Sequence, residues 1–308
     1  MQVAGIRRVG APVEMIEVSE PRPLADDEVL VEVRAAGVGN WDEFVRTGGW
    51  DVGTTPPMAL GVEVAGTVLA AGPAVTDWVP SDAVMAHPVP LRDQGTWAPR
   101  LIAPAGLLAR KPHNASWEAA AAFPVPALTA EQVLGDALDI QAGEQLLVNG
   151  AGGITGGLLI TLAVLRGAQV IATAGPSSRQ RVSALGAHHI IDYHNQDWPE
   201  QVRAITGRRG VAAAANAAPG GAASAIRAVA DGGRLATITS DPPGEQRGIT
   251  VSNIYVRPDG NQLRKLAEQF AAGQLDIRVA SSYRLADAGQ ALAQVTSGHA
   301  AGSIVLTP

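Results

Sequence analysis

Residues 149–157, NGAGGITGG, place five glycines directly after the strand-like run QLLV. Gly150, Gly153 and Gly156 recur at every third position. Glycines at such a turn let the backbone leave a strand sharply and approach a pyrophosphate closely, while the next helix offers its free N–H groups to that anion. The spacing differs from the commoner Gly-x-Gly-x-x-Gly, so the setting between strand and apolar helix carries the interpretation. A bound dinucleotide is favoured, and a tight turn without a ligand is the alternative.

Along the rest of the chain, the pattern of secondary structure predicted from the sequence changes twice. The first hundred residues are β-rich, and Glu28–Arg34 alternates apolar and polar residues as a half-buried strand does. From Leu146 onward, short apolar runs alternate with helical stretches, which predicts βαβ units and a doubly wound parallel sheet. β character returns at Gly302–Leu306. We therefore expect an α/β fold in which a nucleotide-binding domain is inserted into a β-rich domain made from both ends of the chain.

Composition narrows the functional classes. The 308 residues are 46% hydrophobic and 17% charged, with a net charge of −6, which is typical of a globular protein without a nucleic-acid footprint. There is no cysteine, so disulfides, thiolate nucleophiles and cysteine-ligated zinc are excluded. No apolar run approaches the roughly 20 residues of a membrane span. We expect a cytoplasmic protein with neither a nucleic-acid nor a membrane partner.

The residues after the second strand of the predicted parallel sheet indicate whether the dinucleotide is NAD or NADP. NAD sites usually place a carboxylate there for the ribose 2′-hydroxyl, but no Asp or Glu occurs between Glu144 and Asp192. Ser178 and Arg179 follow Thr173 closely instead. Arg179 can form charge-assisted hydrogen bonds to a 2′-phosphate, which favours NADP(H). The alternative, an arginine that only solvates a helix N-terminus, is disfavoured because a cation is repelled there.

A family resemblance rests on motifs in a fixed order along nearly the whole chain. They are Ala36–Val38 with Asp42 and Arg46–Gly48, Leu60–Gly66, Gly95–Ala98, Glu118–Ala121, Leu128–Ala130, the glycine loop, Leu185–Tyr193 and Gly302–Leu306. In these the chain resembles the medium-chain dehydrogenase/reductase superfamily, close to its zinc-free quinone oxidoreductase and enoyl reductase branch. The resemblance implies a GroES-like β-barrel catalytic domain (1–117 and 257–308), a Rossmann NADP(H)-binding domain (118–256), a cleft for the nicotinamide, and a homodimer.

Expected coenzyme contacts follow from the loop and the resemblance together. They are Thr129, Gly150, Gly152, Gly153, Ile154, Gly156, Thr173, Ser178, Arg179, Tyr193 and Asn216. Zinc is not expected: Gly39 and Val62 stand where zinc-dependent relatives carry Cys and His, and Glu63 alone cannot supply the roughly three protein ligands of a catalytic zinc. We interpret His188, His189 and His194 as solvated loop residues.

Catalytic candidates are fewer. Asn40 can donate a hydrogen bond to a developing oxyanion, as backbone N–H groups and solvent can. Asp42 is either a carboxylate at the active site or the partner of Arg46 in an i,i+4 ion pair. Trp41, Trp50 and Trp97 form a flat substrate slot or pack in the core. Phe44 and Trp50 stand near positions where relatives carry tyrosines, so a tyrosine proton donor there is lost.

Three functions follow. The first is a zinc-independent, NADPH-dependent reductase that transfers hydride to a quinone or to the activated C=C bond of an α,β-unsaturated carbonyl. The second is an enoyl-thioester or pathway-specific reductase of secondary metabolism, which no motif separates from the first. The third is a non-catalytic NADPH-binding interaction protein, against which the intact glycine loop and Arg179 argue.

Overall fold

The computed structural model describes residues 1–298 and 300–308. The strands are β1 (Gln2–Ile6), β2 (Glu14–Glu17), β3 (Glu28–Val38), β4 (Met58–Ala59), β5 (Val64–Ala71), β6 (Ala83–Ala86), β7 (Arg100–Pro104), β8 (Leu108–Arg110), β9 (Gln145–Asn149), β10 (Gln169–Thr173), β11 (His189–Ile191), β12 (Val211–Asn216), β13 (Val229–Thr237), β14 (Thr250–Asn253), β15 (Val279–Arg284) and β16 (Ser303–Thr307). The helices are α1 (Asn40–Thr47), α2 (Trp117–Ala121), α3 (Pro124–Gln132), α4 (Ile154–Leu165), α5 (Pro176–Ala184), α6 (Trp198–Ile205), α7 (Ala222–Ala228), α8 (Gly260–Ala271) and α9 (Ala288–Thr296).

Two compact units divide the chain. Unit 1 comprises Met1–Val125 and Pro258–Pro308, and unit 2 comprises Pro126–Arg257. The sequence places the first boundary at 117/118, eight residues earlier, at the start of the Ala-rich helix. In the structure that helix, α2, packs on β3 and β5 and so belongs to unit 1.

Unit 1 is built on two sheets whose strand pairs are antiparallel, except that β15 and β16 pair in parallel. A small sheet has the order β2-β1-β4, and a larger one runs β15-β16-β3-β5-β6-β8 with β7 also paired to β3. Strand β3 shows the predicted alternation, since Val29, Val31 and Val33 are buried and Arg34 is exposed. Its later half pairs with β16, so that Ala36 faces Leu306. The largest sheet therefore needs strands from both ends of the sequence.

Unit 2 is a six-stranded parallel sheet. The strand order is β11-β10-β9-β12-β13-β14. The chain adds strands toward one edge from β9 to β11 and toward the other edge from β12 to β14, so the strand order reverses between β9 and β12, as in the doubly wound dinucleotide-binding fold. Leu146, Leu147 and Val148 are all fully buried, because helices cover both faces of a parallel sheet. Ligands of such sheets bind beyond the carboxyl ends of the strands, beside this reversal.

The expected fold class is confirmed. Within the described part of the chain, no helix has both the length and the hydropathy to span a bilayer.

Candidate functional site

The glycines after β9 have three different roles. Gly150 has φ +83°, and a Cβ there would lie 2.7 Å from the carbonyl carbon of Ala217. A Cβ at Gly156 would lie 2.3 Å from the Gly150 oxygen, so this glycine lets α4 pack against the loop. At Gly153 the nearest such atom is the Gly150 oxygen at 3.5 Å, an ordinary contact. Packing therefore does not require glycine at 153, and the space beside it is open.

Helix α4 starts at this open position. Its N-cap Gly153 is extended, with φ −80° and ψ 174°, and no side chain caps the helix. The first N–H groups of a helix have no intrahelical partner and carry the positive end of its dipole. The uncapped amides from Ile154 onward and the open space at Gly153 fit a pyrophosphate.

Arg179 and Tyr193 lie near the ends of β10 and β11. The Arg179 guanidinium donates to the Ile190 carbonyl oxygen at 3.1 Å, on the exposed side of α5. Tyr193 is 51% exposed and stacks on His194, with ring centroids 4.3 Å apart. Its ring also borders Gly175, where a Cβ would lie 3.3 Å from the hydroxyl oxygen. Both side chains thus lie beside the turn that follows the second Rossmann strand.

Ser178 and a residue that the sequence analysis missed connect this turn to the glycine loop. A Cβ on Gly152 would lie 2.8 Å from Ser178 Oγ, and Arg181 donates to the Gly152 carbonyl oxygen. The signal for Arg181 is its place two residues after Arg179. Thr129, another expected contact, is 8% exposed on α3.

Four neighbouring strands of unit 2 end in polar residues, which we call the polar row: Asn149, Thr173, Asn216 and Thr237. Asn216 faces Asn149 across the reversal of strand order and faces Thr237 on its other side. Thr173 Oγ1 donates to Asn149 Oδ1 at 2.6 Å, and Asn149 Nδ2 donates to Asn216 Oδ1 at 2.7 Å. Asn216 Nδ2 then donates to Thr237 Oγ1 at 3.0 Å. These side chains are engaged with one another and form a floor at the carboxyl edge.

Asp241 closes the polar row at one end. Its Oδ1 accepts from Thr237 Oγ1 at 2.7 Å and from Thr239 Oγ1 at 2.6 Å, and its Oδ2 accepts from the Ala222 N–H at 3.2 Å. Burial raises the pKa of Asp241, but these hydrogen bonds outweigh it and keep the pKa below its usual value. An ionised carboxylate only accepts, so it orients each donor of the row toward itself. Asp241 is not among the site residues predicted from the sequence.

In unit 1, Asp42 does not form the ion pair predicted for it. Arg46 pairs with Glu43 through two contacts of 2.7 Å, so the predicted Asp42–Arg46 ion pair is wrong. Asp42 is 0% exposed, and its Oδ2 accepts from the Gly39 N–H at 2.8 Å as part of the cap of α1. Asn40, at the start of α1, is exposed.

Asp42 belongs to a group of buried titratable side chains. Burial raises the pKa of Asp42 to about 8, and burial together with the Asp42 carboxylate raises the pKa of Glu63 well above its usual value. Glu63 Oε2 accepts from the Val125 N–H at 3.0 Å. Burial lowers the pKa of His87 to about 4, and its Nδ1 lies 2.7 Å from the Val62 oxygen. Burial therefore favours the uncharged form of each of these three side chains.

The three tryptophans do not form one slot. Trp97 is 0% exposed and its Nε1 donates to the Gly37 carbonyl oxygen at 2.9 Å. A Cβ on Gly61 would lie 2.3 Å from the Trp97 ring. Trp97 is therefore a core residue, and its predicted place in a substrate slot is wrong. Trp50 is partly exposed, with its ring centroid 6.0 Å from that of His87.

Trp41 fills the space around Gly39. A Cβ at that position would lie 2.1 Å from the indole, so a side chain pointing there would collide with the ring. Among residues 1–298 and 300–308, no group of three or more His, Asp or Glu side chains could hold a metal ion. His188 Nδ1 accepts from the Val170 N–H at 3.1 Å, while His194 pairs with Asp192.

Two family models match the chain. The alcohol dehydrogenase GroES-like domain covers residues 25–112, and a model described as zinc-binding dehydrogenase covers 185–306. Both matches include β-strands of unit 1, and the second also covers much of the unit 2 sheet.

Three similar proteins illustrate the range of relatives. Erythronolide synthase EryA2 of Saccharopolyspora erythraea is 33% identical over 93% of this chain, which spans 8% of that protein's length. The NADPH-dependent alkenal/one oxidoreductase of Arabidopsis thaliana is 29% identical over 92% of this chain and 73% of its own. The solved structure of an NAD-dependent alcohol dehydrogenase superposes with a TM-score of 0.88 at 28% identity, covering 100% of both chains.

Proposed function

Because the chain belongs to the medium-chain dehydrogenase/reductase superfamily, as its family models, fold and structural neighbours show, we propose that it is an NADPH-dependent, zinc-independent reductase. Its acceptors would be quinones or the activated C=C bonds of α,β-unsaturated carbonyls. The observation that carries the proposal is the uncapped start of α4 beside the open space at Gly153.

The names of the relatives differ on the coenzyme, since one is NADPH-dependent and another NAD-dependent. Arg179 favours NADPH here, because a guanidinium at the end of the second Rossmann strand suits a 2′-phosphate and no carboxylate competes for the 2′-hydroxyl. When bound, the coenzyme would supply a hydride. Gly153 and the amides of α4 would hold its pyrophosphate, and the polar row would form the floor beneath it.

Zinc does not fit the residues present. The Trp41 indole occupies the space into which a ligand at position 39 would project, and Val62 offers no donor atom. Charge that develops on the substrate oxygen would then be stabilised by hydrogen bonds, with backbone N–H groups and the exposed Asn40 amide as donors. Conjugated acceptors suit such a site because their negative charge is delocalised.

A second candidate, reduction of an enoyl thioester, is favoured by one observation. The chain matches segments of large synthases, including the pikromycin polyketide synthase component PikAII of Streptomyces venezuelae, and spans 8% of that protein. The acceptor would then carry a thioester in place of a ketone. Hydride addition to the β-carbon is the same in both cases.

The test compares three acceptors by the loss of NADPH absorbance. We expect turnover of 1,4-naphthoquinone or of a simple enone, and kcat/KM for a short enoyl thioester separates the two candidates. NADPH binding without consumption across all three acceptors would contradict the proposal and favour a non-catalytic NADPH-binding protein. The homodimer expected from the resemblance stays a prediction, which sedimentation can check.

A further inference from the structure

Tyr255 lies at the carboxyl edge of the second half of the unit 2 sheet. It follows the end of β14 by two residues. In a doubly wound sheet the first three strands bind one nucleotide of the dinucleotide and the second three bind the other. The glycine loop and Arg179 belong to the first half, so the second half, β12 to β14, is the one expected beside the nicotinamide.

The Tyr255 hydroxyl oxygen has two polar side chains beside it, Ser240 and Asn253. Ser240 Oγ donates at 3.2 Å. The Asn253 side chain is a second polar neighbour that lowers the pKa of Tyr255. A phenol oxygen that accepts a hydrogen bond from Ser240 directs its own proton elsewhere. Such a donor favours the ionised form and lowers the pKa of Tyr255.

The backbone and the exposure of the site support the same interpretation. Ser240 has φ +58°, a left-handed conformation that is costly for a non-glycine residue. Tyr255 is 68% exposed, so its ring is open to a ligand. Tyr255 needs no hydroxyl for packing at such a position.

We propose that Tyr255 is the proton donor of the reductase, an inference that rests on the proposed function. After hydride reaches the β-carbon of an enone, the electron pair of the C=C bond resides on the enolate. The Tyr255 O–H bond breaks and its proton goes to the α-carbon, which gives the saturated ketone and a tyrosinate. Ser240 and Asn253 stabilise the tyrosinate until water returns the proton.

The direction of the pH dependence follows. The donor is competent while protonated, so enone reduction falls as pH rises through the Tyr255 pKa, which lies below 10. Nearby charged groups are already paired: Asp241 accepts from two threonines, and Arg257 pairs with Asp136. Ser240 and Asn253 therefore set the pH at which enone reduction declines.

An absorbance titration of tyrosinate tests the arrangement without coenzyme or substrate. The chain has three tyrosines. We expect one to ionise ahead of the others in the wild type, this step to vanish in Tyr255→Phe, and its midpoint to rise in Ser240→Ala. Tyr283→Phe, which removes a hydroxyl bonded to Gln294 in unit 1, is the matched control and should retain the early step. An early step that persists in Tyr255→Phe would overturn the proposal.

Kinetics test the role itself. We expect Tyr255→Phe to lower kcat for an enone about 100-fold with NADPH affinity unchanged. Naphthoquinone reduction should change much less, because the quinol oxygens can take protons from water. Ser240→Ala should move the alkaline limb upward. An enone kcat within about twofold of the wild type would overturn the proposal. Wild-type protein that reduces no acceptor would instead overturn the proposed function, and this role with it.

Discussion

At position 42 a carboxyl group is enclosed by protein on all sides. It accepts one hydrogen bond from the Gly39 N–H, and its other oxygen has no partner. The folded-state pKa of about 8 lies above the ordinary value of 3.8, which applies to an unfolded chain. Between these values the folded protein binds a proton that the unfolded chain lacks, so rising pH weakens the folded state. Glu63 acts in the same direction because its pKa is also raised.

Asp42→Asn should remove the site at which the folded protein binds one proton more than the unfolded chain. The slope of stability against pH between about 4 and 8 should flatten by at most about 1.4 kcal/mol per pH unit, and the variant should exceed wild-type stability near pH 8. Urea unfolding at about pH 5 and pH 8 measures this. The exposed Asp51→Asn is the control, and equal slopes in all three proteins would contradict the expectation.

Arg179 permits a test of coenzyme choice at a single residue. Arg179→Ala should lose about 1.5–3 kcal/mol of NADPH binding, roughly tenfold to a hundredfold in Kd, with NADH binding nearly unchanged. Fluorescence titration with both coenzymes measures the difference. Arg209→Ala, an exposed change in the same unit, is the control. Equal losses for the two coenzymes would show that Arg179 does not meet a 2′-phosphate.

At the scale of elements, the junction of β9 and α4 contains one glycine needed for coenzyme binding and another needed for packing. Gly153→Val should abolish NADPH binding with little change in the thermal midpoint, because the added side chain enters open space where a phosphate would lie. Gly156→Val should instead destabilise the fold, because its Cβ would meet backbone at 2.3 Å. Calorimetry with each variant checks both outcomes, and wild-type affinity in Gly153→Val would contradict this placement of the phosphate.

Asp241 anchors the polar row, which joins four strands. A substitution at Asp241 should therefore affect more of the sheet than the loop that contains it. Asp241→Asn retains one acceptor oxygen but turns an N–H₂ group toward the Ala222 N–H, and we expect a loss of about 1.5–3 kcal/mol in unfolding free energy. The side-chain amide signals of Asn149 and Asn216 in a nitrogen–proton spectrum should shift together. The exposed Asp231→Asn is the control. Unchanged amide signals would show that Asp241 does not orient the row.

The sequence predicts unit 2 better than unit 1 for a physical reason. Parallel strands such as β10 are buried on both faces, and turns bound them sharply, so apolar runs mark their ends. The edge strand β14 was missed because its residues, TVSN, are mostly polar and none is fully buried. In β3 the small residues after Arg34 hide the alternation, and the strand continues to Val38.

Side-chain partners were harder to predict than elements. An i,i+4 spacing suggested Asp42 with Arg46, but α1 turns Asp42 inward with Val45 and leaves Arg46 to Glu43. Polar residues at the ends of four strands are visible in the sequence. Their common anchor Asp241 is 25 residues beyond Asn216, and only the fold brings the two together.

For the whole molecule, the clearest test concerns metal. With the Trp41 indole against Gly39 and no metal-binding group in the described residues, reductase activity should survive exhaustive chelation. Activity before and after chelator treatment, with metal content measured alongside, is the readout. Stray zinc on exposed histidines would not matter. Activity that a chelator abolishes and zinc restores would contradict the mechanism.

The interleaving of the two units has a consequence for synthesis on the ribosome. Strand β3 emerges early, but its partner β16 is translated only after all of unit 2. Until then the end of β3 that pairs with β16, Ala36–Val38, has unpaired backbone groups on one edge, which invite pairing with other chains. Unit 2 is continuous in sequence and can form first, with the nascent β3 as the segment most in need of a chaperone. Translation pauses after residue 257 should therefore raise aggregation more than equal pauses within unit 2.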